Sequence, residues 1–247
     1  MELKGCAAIV TGGSGGLGRR ISRALALNGV NVAVAYAKSK DLSESIAKEL
    51  TGLGPRAIAV QMDVTATAGI QRAVEQVHKE FGRIDILVND AAFNKYVTFQ
   101  DLDGLTLDLW EFILKTNLTG PFQTIKAVAP IMRAQKQGRI INISSSAGFR
   151  PRGSSIAYAV SKAGLNHLTK CMAVALAPDI LVNCIAPGYM TETRMTSNLP
   201  PEHQASSLQM NALKRPADKD DIAEQVVGFA RTNSTTGQTL EITAGRF

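Results

Sequence analysis

At 247 residues, with 45% apolar and only 5% aromatic side chains, the chain has the length of a single α/β domain with a core of Val, Ile, Leu and Ala. The formal charge of +6 is the difference between 27 basic and 21 acidic residues; the basic ones are scattered, which argues against the arm or tract of a nucleic-acid binder. No apolar run approaches the ~18 residues of a membrane span, and Cys6, Cys171 and Cys184 form no C-x-x-C pair, so a cytoplasmic protein with core thiols is expected.

Apolar runs rich in β-branched residues or alanine recur at 6–10, 31–35, 57–60, 84–88, 139–143, 181–185 and 238–242. Helix-length segments separate most of them, at 16–28, 40–52, 66–80, 106–134 with an interruption near Gly120-Pro121, 157–176 and 219–231. Such alternation predicts βαβ units with right-handed crossovers. The expected fold class is α/β, one doubly wound parallel sheet of about seven strands with helices on both faces, filling a single domain over residues 1–247.

The first strand runs into the glycine turn Thr11-Gly-Gly-Ser-Gly-Gly-Leu-Gly18. A glycine-rich strand-to-helix turn lets backbone N–H groups approach a pyrophosphate at the positive end of the following helix. Gly13, Gly15 and Gly18 spell G-x-G-x-x-G, while Gly12, Gly16 and Gly18 give a looser spacing at the same turn. The letters around Ser14 also spell the G-x-S-x-G of a serine hydrolase. That reading leaves Ser145, Tyr158 and Lys162 without a role.

After the second strand, a dinucleotide site that selects NAD places a carboxylate on the ribose 2′-hydroxyl. Here the chain reads Ala35-Tyr-Ala-Lys-Ser-Lys40. Lys38 and Ser39 offer a cation and a hydroxyl to a 2′-phosphate, which favours NADPH over NADH. Further on, Tyr158 and Lys162 are four apart and share a helix face. A phenol titrates near ~10, and a neighbouring cation favours its ionised form, making it a usable acid or base. His78, His167 and His203 have no Cys or acidic partners at metal-ligand spacing, so no metal is expected.

Thr11-Gly12-x-x-x-Gly16-x-Gly18, Asp63-Val64, Asn117, Asn142-Ile-Ser-Ser145, Tyr158-x-x-x-Lys162, Asn183 and Pro187-Gly188 resemble, in order and spacing, the short-chain dehydrogenase/reductase family over almost the whole chain. The resemblance is strongest to the 3-oxoacyl-[acyl-carrier-protein] reductase-like branch. It implies a Rossmann-type catalytic domain that reduces a ketone or 3-oxoacyl group with NADPH. Tyr158 would be the general acid, Ser145 would hold the carbonyl oxygen, Lys162 would hold the nicotinamide ribose and lower the phenol's pKa, and the Asn117 carbonyl would hold a relay water.

The same resemblance implies cofactor contacts from Gly12, Ser14, Gly15, Gly16, Leu17 and Gly18 at the phosphates, and from Lys38, Ser39, Asp63 and Val64 at the adenosine. Asn89, Ala91, Tyr158, Lys162, Pro187, Gly188, Met190 and Thr191 would follow towards the nicotinamide, with Thr193 the alternative to Thr191. A substrate lid is expected at about 190–215, and a homotetramer paired through 106–134 and 157–176.

Four positions depart from the family pattern. Asp90 and Ala92 stand where relatives usually carry Asn and Gly. Gly15 stands where many NADP-preferring relatives carry a basic residue. Asp179 replaces a basic residue that meets acyl carriers, although Lys136 and Arg139 lie in a carrier-facing segment. The alternatives are an NAD(P)-dependent dehydrogenase of a sugar, steroid or other small alcohol, and a dinucleotide sensor without turnover.

Overall fold

Residues alternating between two buried faces form the strands, and the amphipathic segments between them form the helices. The computed structural model describes residues 1–197 and 199–246; Asn198, inside the expected lid, and Phe247 lie outside the described residues. In chain order the elements are β1 (Ala7–Thr11), α1 (Gly16–Leu27), β2 (Asn31–Tyr36), α2 (Lys40–Thr51), β3 (Ala57–Gln61), α3 (Thr67–Phe81) and β4 (Ile86–Asn89). Next come α4 (Leu107–Leu114), a π-helical turn (Lys115–Thr119), α5 (Gly120–Ala134), β5 (Gly138–Ile143), a 3₁₀ turn (Ser146–Gly148) and α6 (Ile156–Leu176). The chain closes with β6 (Ile180–Pro187), α7 (Arg194–Ser197), α8 (Pro201–Gln209), α9 (Lys219–Arg231) and β7 (Thr239–Ile242).

The strands form one sheet in the order β3-β2-β1-β4-β5-β6-β7, and every pair is parallel. The order in which the chain adds strands reverses between β1 and β4, and that switch point opens a crevice beyond the carboxyl ends of the strands. In β1, Ala8 and Val10 face α1, α2 and α9 with Ile21, Leu25, Ile46 and Val226. Ile9 faces the opposite layer, where Ile70, Val74, Ile125 and Val128 come from α3 and α5. Each fully buried aliphatic side chain contributes about 1.5–3 kcal/mol, so the inner strands are the rigid part of the molecule.

The α-helical run 106–134 is interrupted near Gly120-Pro121 as expected, by the π turn at Lys115–Thr119, after which Pro121 sits in the first turn of α5. Two details differ from expectation, at Arg139 and Cys171. Arg139 is not surface charge: it is buried, and its guanidinium donates to the carbonyls of Gly138 and Thr232 and to Asn233 Oδ1. Cys6 and Cys184 are core thiols as expected, whereas Cys171 is exposed. Among the described residues, no helix is long and apolar enough to cross a membrane.

Candidate active site

The crevice is a single cleft of about 1180 Å³ along the carboxyl edge of the sheet. At one end lies the glycine turn. Gly12 has a φ of +66°, and a Cβ there would lie 3.0 Å from the Ala91 backbone. At Gly18 a Cβ would lie 2.3 Å from the Gly12 carbonyl oxygen. Both positions therefore need glycine, and the resulting turn presents Ser14, Gly15, Gly16 and Leu17 to the cleft. Thr11 fixes the turn to the next strand: its Oγ1 accepts from the N–H groups of Asp90 and Ala91, both at 3.1 Å.

Lys38, Ser39, Asp63 and Val64 line the same wall. Asp63 Oδ1 accepts from Thr65 N at 2.9 Å and from Thr65 Oγ1 at 2.7 Å, and these bonds hold its carboxyl below the usual range. With Ala91, Pro187, Gly188 and Met190 also facing the cleft, a turn of close-approach glycines leads along it to Ser145, Tyr158 and Lys162. A dinucleotide fits that arrangement.

Four expected contacts are not in the cleft lining. Gly18 and Asn89 lie beneath it: Asn89 Nδ2 donates to Asn142 Oδ1 at 2.9 Å, and Asn142 Nδ2 to Thr169 Oγ1 at 2.9 Å, a buried chain that ties β4, β5 and α6 together. Asn117 is also buried, in the π turn. Its side chain is fully used, accepting from Phe93 N at 2.8 Å and donating to Phe93 O at 2.9 Å and Ser161 Oγ at 3.1 Å. Thr191 is exposed, with its carbonyl on Lys219 Nζ at 3.2 Å, whereas Thr193 is buried and lines the cleft. Of the two threonines left open in the sequence, Thr193 is the one that borders the cleft.

The candidate catalytic side chains come from two parts of the chain, the end of β5 and α6. Ser145 follows β5 and caps the 3₁₀ turn, its Oγ accepting from Ala147 N at 3.2 Å. Its neighbour Ser144, which also lines the cleft, is buried and donates to the Lys162 carbonyl at 3.0 Å. Tyr158 and Lys162 lie on α6, whose N-cap Ser155 accepts from Tyr158 N at 3.2 Å. Lys162 Nζ lies 5.8 Å from the centre of the Tyr158 ring.

A family model described as "short chain dehydrogenase" matches residues 6–204. The chain is 36% identical over 247 residues to the 3-oxoacyl-[acyl-carrier-protein] reductase FabG of Staphylococcus epidermidis, covering 97% of this chain and 98% of that one. It also superimposes on a short chain dehydrogenase from Burkholderia cenocepacia solved in complex with NADP, with a TM-score of 0.90, 32% identity and 99% coverage of both chains. An NADPH-dependent 3-quinuclidinone reductase from Rhodotorula rubra superimposes with a TM-score of 0.91 at 27% identity, covering 99% of this chain and 92% of that one. This chain is a short-chain dehydrogenase/reductase. It is accordingly an oxidoreductase that binds a nicotinamide dinucleotide, and the hydrolase reading of Ser14 falls away.

In this short-chain dehydrogenase/reductase the electrostatics of the centre differ from what Tyr-x-x-x-Lys alone suggests. Burial pushes the Tyr158 phenol up to about 12, with a hydrogen bond to Ser145 pulling it back and the Asp90 carboxylate pushing it further up. The Lys162 ammonium is not turned to the phenol; it donates to the Ile143 carbonyl at 2.8 Å. Burial pushes that amine down to about 8, opposed by Cys184 and Asp90. The hydrogen bond to Ser145 favours the ionised phenol, while burial and Asp90 oppose it.

Asp90, a departure noted in the sequence, belongs to the site. Its carboxylate lines the cleft, and Oδ2 lies 2.9 Å from where a Gly18 Cβ would stand. Burial pushes it up to about 7, and Lys162 pulls it back. The residues that sequence reasoning missed here are those of the far end, Tyr96, His203 and Arg246, which carry no motif of their own.

Proposed function

We propose that this enzyme uses NADPH to reduce a ketone or a 3-oxoacyl group to the alcohol. The observation that carries the reading is the placement of Tyr158, Ser145 and Lys162 on one wall of the cleft that the glycine turn opens. When bound, the nicotinamide supplies the hydride. Tyr158 supplies the proton to the substrate oxygen, and burial keeps that proton in place until a charge develops beside it. Ser145 donates a hydrogen bond to the same oxygen, which is worth most as the oxygen becomes anionic.

Lys162, one helical turn from the phenol and held by the Ile143 carbonyl, would bind the cofactor ribose. Asn117 acts through its backbone: Pro121, four residues on, has no N–H to close an α-helical bond to the Asn117 carbonyl. π-turns of this kind recur at functional sites, and the freed carbonyl is placed to hold a water that returns the proton.

Preference for NADPH rests on Lys38 and Ser39 at the end of β2, with no carboxylate among the cleft-lining residues from Tyr36 to Ser39. Lys38→Ala is expected to raise the KM for NADPH about tenfold while moving that for NADH by less than about twofold, a loss of ~1.4 kcal/mol. Equal losses with the two coenzymes would remove Lys38 from the argument. An acyl-carrier substrate has support in the relatives named reductases of that substrate, but the buried Arg139 takes away one of its proposed docking charges.

The homotetramer has support in apolar side chains left exposed on the expected pairing helices: Leu107 on α4, Phe122 on α5, and Val160 and Val174 on α6. Val174, 82% exposed, is the sharpest test. Val174→Glu should yield a smaller species in sedimentation velocity; an unchanged assembly would move the interface elsewhere.

The function itself is tested by following NADPH absorbance with a panel of free ketones, 3-oxoacyl thioesters and simple aldehydes. Turnover of none of them would leave a dinucleotide-binding protein without this activity.

A further inference from the structure

Three guanidinium groups meet at the end of the cleft away from the glycine turn. Arg150, Arg152 and Arg246 all line it. Arg150 is paired: Nη1 lies 2.5 Å and Nη2 3.4 Å from the two carboxylate oxygens of Glu241, and Nη2 also donates to the Arg246 carbonyl at 3.1 Å. The other two have no carboxylate within salt-bridge distance among the described residues. Instead both point at one thioether, with Arg152 Nη1 2.7 Å and Arg246 Nη2 3.1 Å from Met210 Sδ.

A thioether is a weak acceptor and carries no charge. Arg246 is half-buried and Arg152 exposed, and the thioether between them neutralises neither, while Glu241 is already taken by Arg150. Burial and the two neighbouring arginines hold Arg246 below the ordinary guanidinium range, and Arg246 in turn lowers His203 after the larger effect of burial. Glu202 also borders the cleft, but it is exposed and makes no ion pair with either arginine. Converging guanidinium donors with a replaceable acceptor between them form a receptor for a planar or tetrahedral oxyanion.

We propose that the substrate carries an anionic oxygen group at the end remote from its carbonyl, and that this group takes the place of Met210 Sδ on Arg152 and Arg246. The inference rests on carbonyl reduction at Tyr158 and adds the substrate's chemical class. Arg150 stays locked to Glu241 and shapes the socket. Met210 lies just beyond α8, so the mobile partner is the flexible thioether rather than the arginines. The anion has two sources of the same chemistry, a carboxylate on a small keto acid or the phosphate of a pantetheine arm.

The test compares matched substrates on the intact enzyme with NADPH in excess. One arm is a series of straight-chain keto acids of increasing length and their neutral methyl esters. The other is 3-oxoacyl thioesters of 4′-phosphopantetheine and of pantetheine without the phosphate. In at least one arm the anionic member should have a kcat/KM about 100-fold above its neutral partner, and the arm in which this occurs identifies the source. The advantage should sit in KM and fall with added salt.

In R152Q/R246Q the ratio of anionic to neutral kcat/KM should fall to near one, while each single variant loses about tenfold of it. Neutral and anionic substrates turned over equally well by the wild-type enzyme would overturn the anion socket and leave carbonyl reduction standing. Unchanged selectivity in R152Q/R246Q would also overturn it. Failure to reduce any carbonyl compound in either arm would instead sink the reductase reading, and the socket with it.

Discussion

Tyr158→Phe is expected to lower kcat for carbonyl reduction by roughly 10²–10⁴-fold while leaving the Kd for NADPH within about threefold, because only the proton donor is removed. The ring keeps its place: its backbone N–H is held by the Ser155 cap and its helix is anchored by Ser144 on the Lys162 carbonyl. Stopped-flow turnover and cofactor fluorescence titration separate the two effects. A variant that keeps more than about a tenth of wild-type kcat would mean that the proton comes from Ser145 or water. Since burial puts the phenol at about 12, the wild-type rate of reduction should not fall between pH 6 and 8 through loss of the Tyr158 proton.

The second large effect is expected on stability. In Asp90→Asn, the unfolding free energy at pH 8 should rise by about 2 kcal/mol, or about 4–8 °C in Tm for a chain of this length. The carboxyl moves from an ordinary 3.8 to about 7 on folding, chiefly through burial, so the folded state keeps the proton that the unfolded state has lost. Stability is therefore spared below about pH 4, falls as pH rises from there to about 7, and stays low above it. The pKa gap alone corresponds to roughly 4 kcal/mol; we expect less because Asp90 borders the cleft and water screens part of its charge.

The gain from the amide should shrink by more than half at pH 4. A gain of the same size at both pH values would show that side-chain shape, not charge, is responsible. The same carboxylate stands against the glycine turn proposed to meet the cofactor phosphates, so Asp90→Asn should also tighten NADPH binding at pH 8.

The sheet was legible because β-branched runs of strand length cannot hide on a surface, and β1 to β7 fall within a few residues of the apolar runs. Glycine was equally readable where it has no substitute: the 2.3 Å approach at Gly18 is a backbone requirement that any side chain would violate. What the sequence did not disclose were properties of assembly in space. The Tyr158–Lys162 spacing fixes a shared helix face but not where the ammonium points, and the Ile143 carbonyl claims it. Arg139 reads as surface charge until Asn233 and the Thr232 carbonyl are seen around it. Arg246 carries no motif and joins Arg152 only because the last residues of the chain return to the cleft.

The proposed lid and the proposed proton donor lie on separable lengths of chain. Ser145, Tyr158 and Lys162 are rooted in β5 and α6, inside the rigid centre, whereas α7 and α8 form an excursion hung between β6 and α9. A chimera in which residues 191–215 come from a different reductase should accept that donor's preferred carbonyl compounds and still use the host's own proton donor. Such grafting would let selection change the clientele of the enzyme without rebuilding its chemistry.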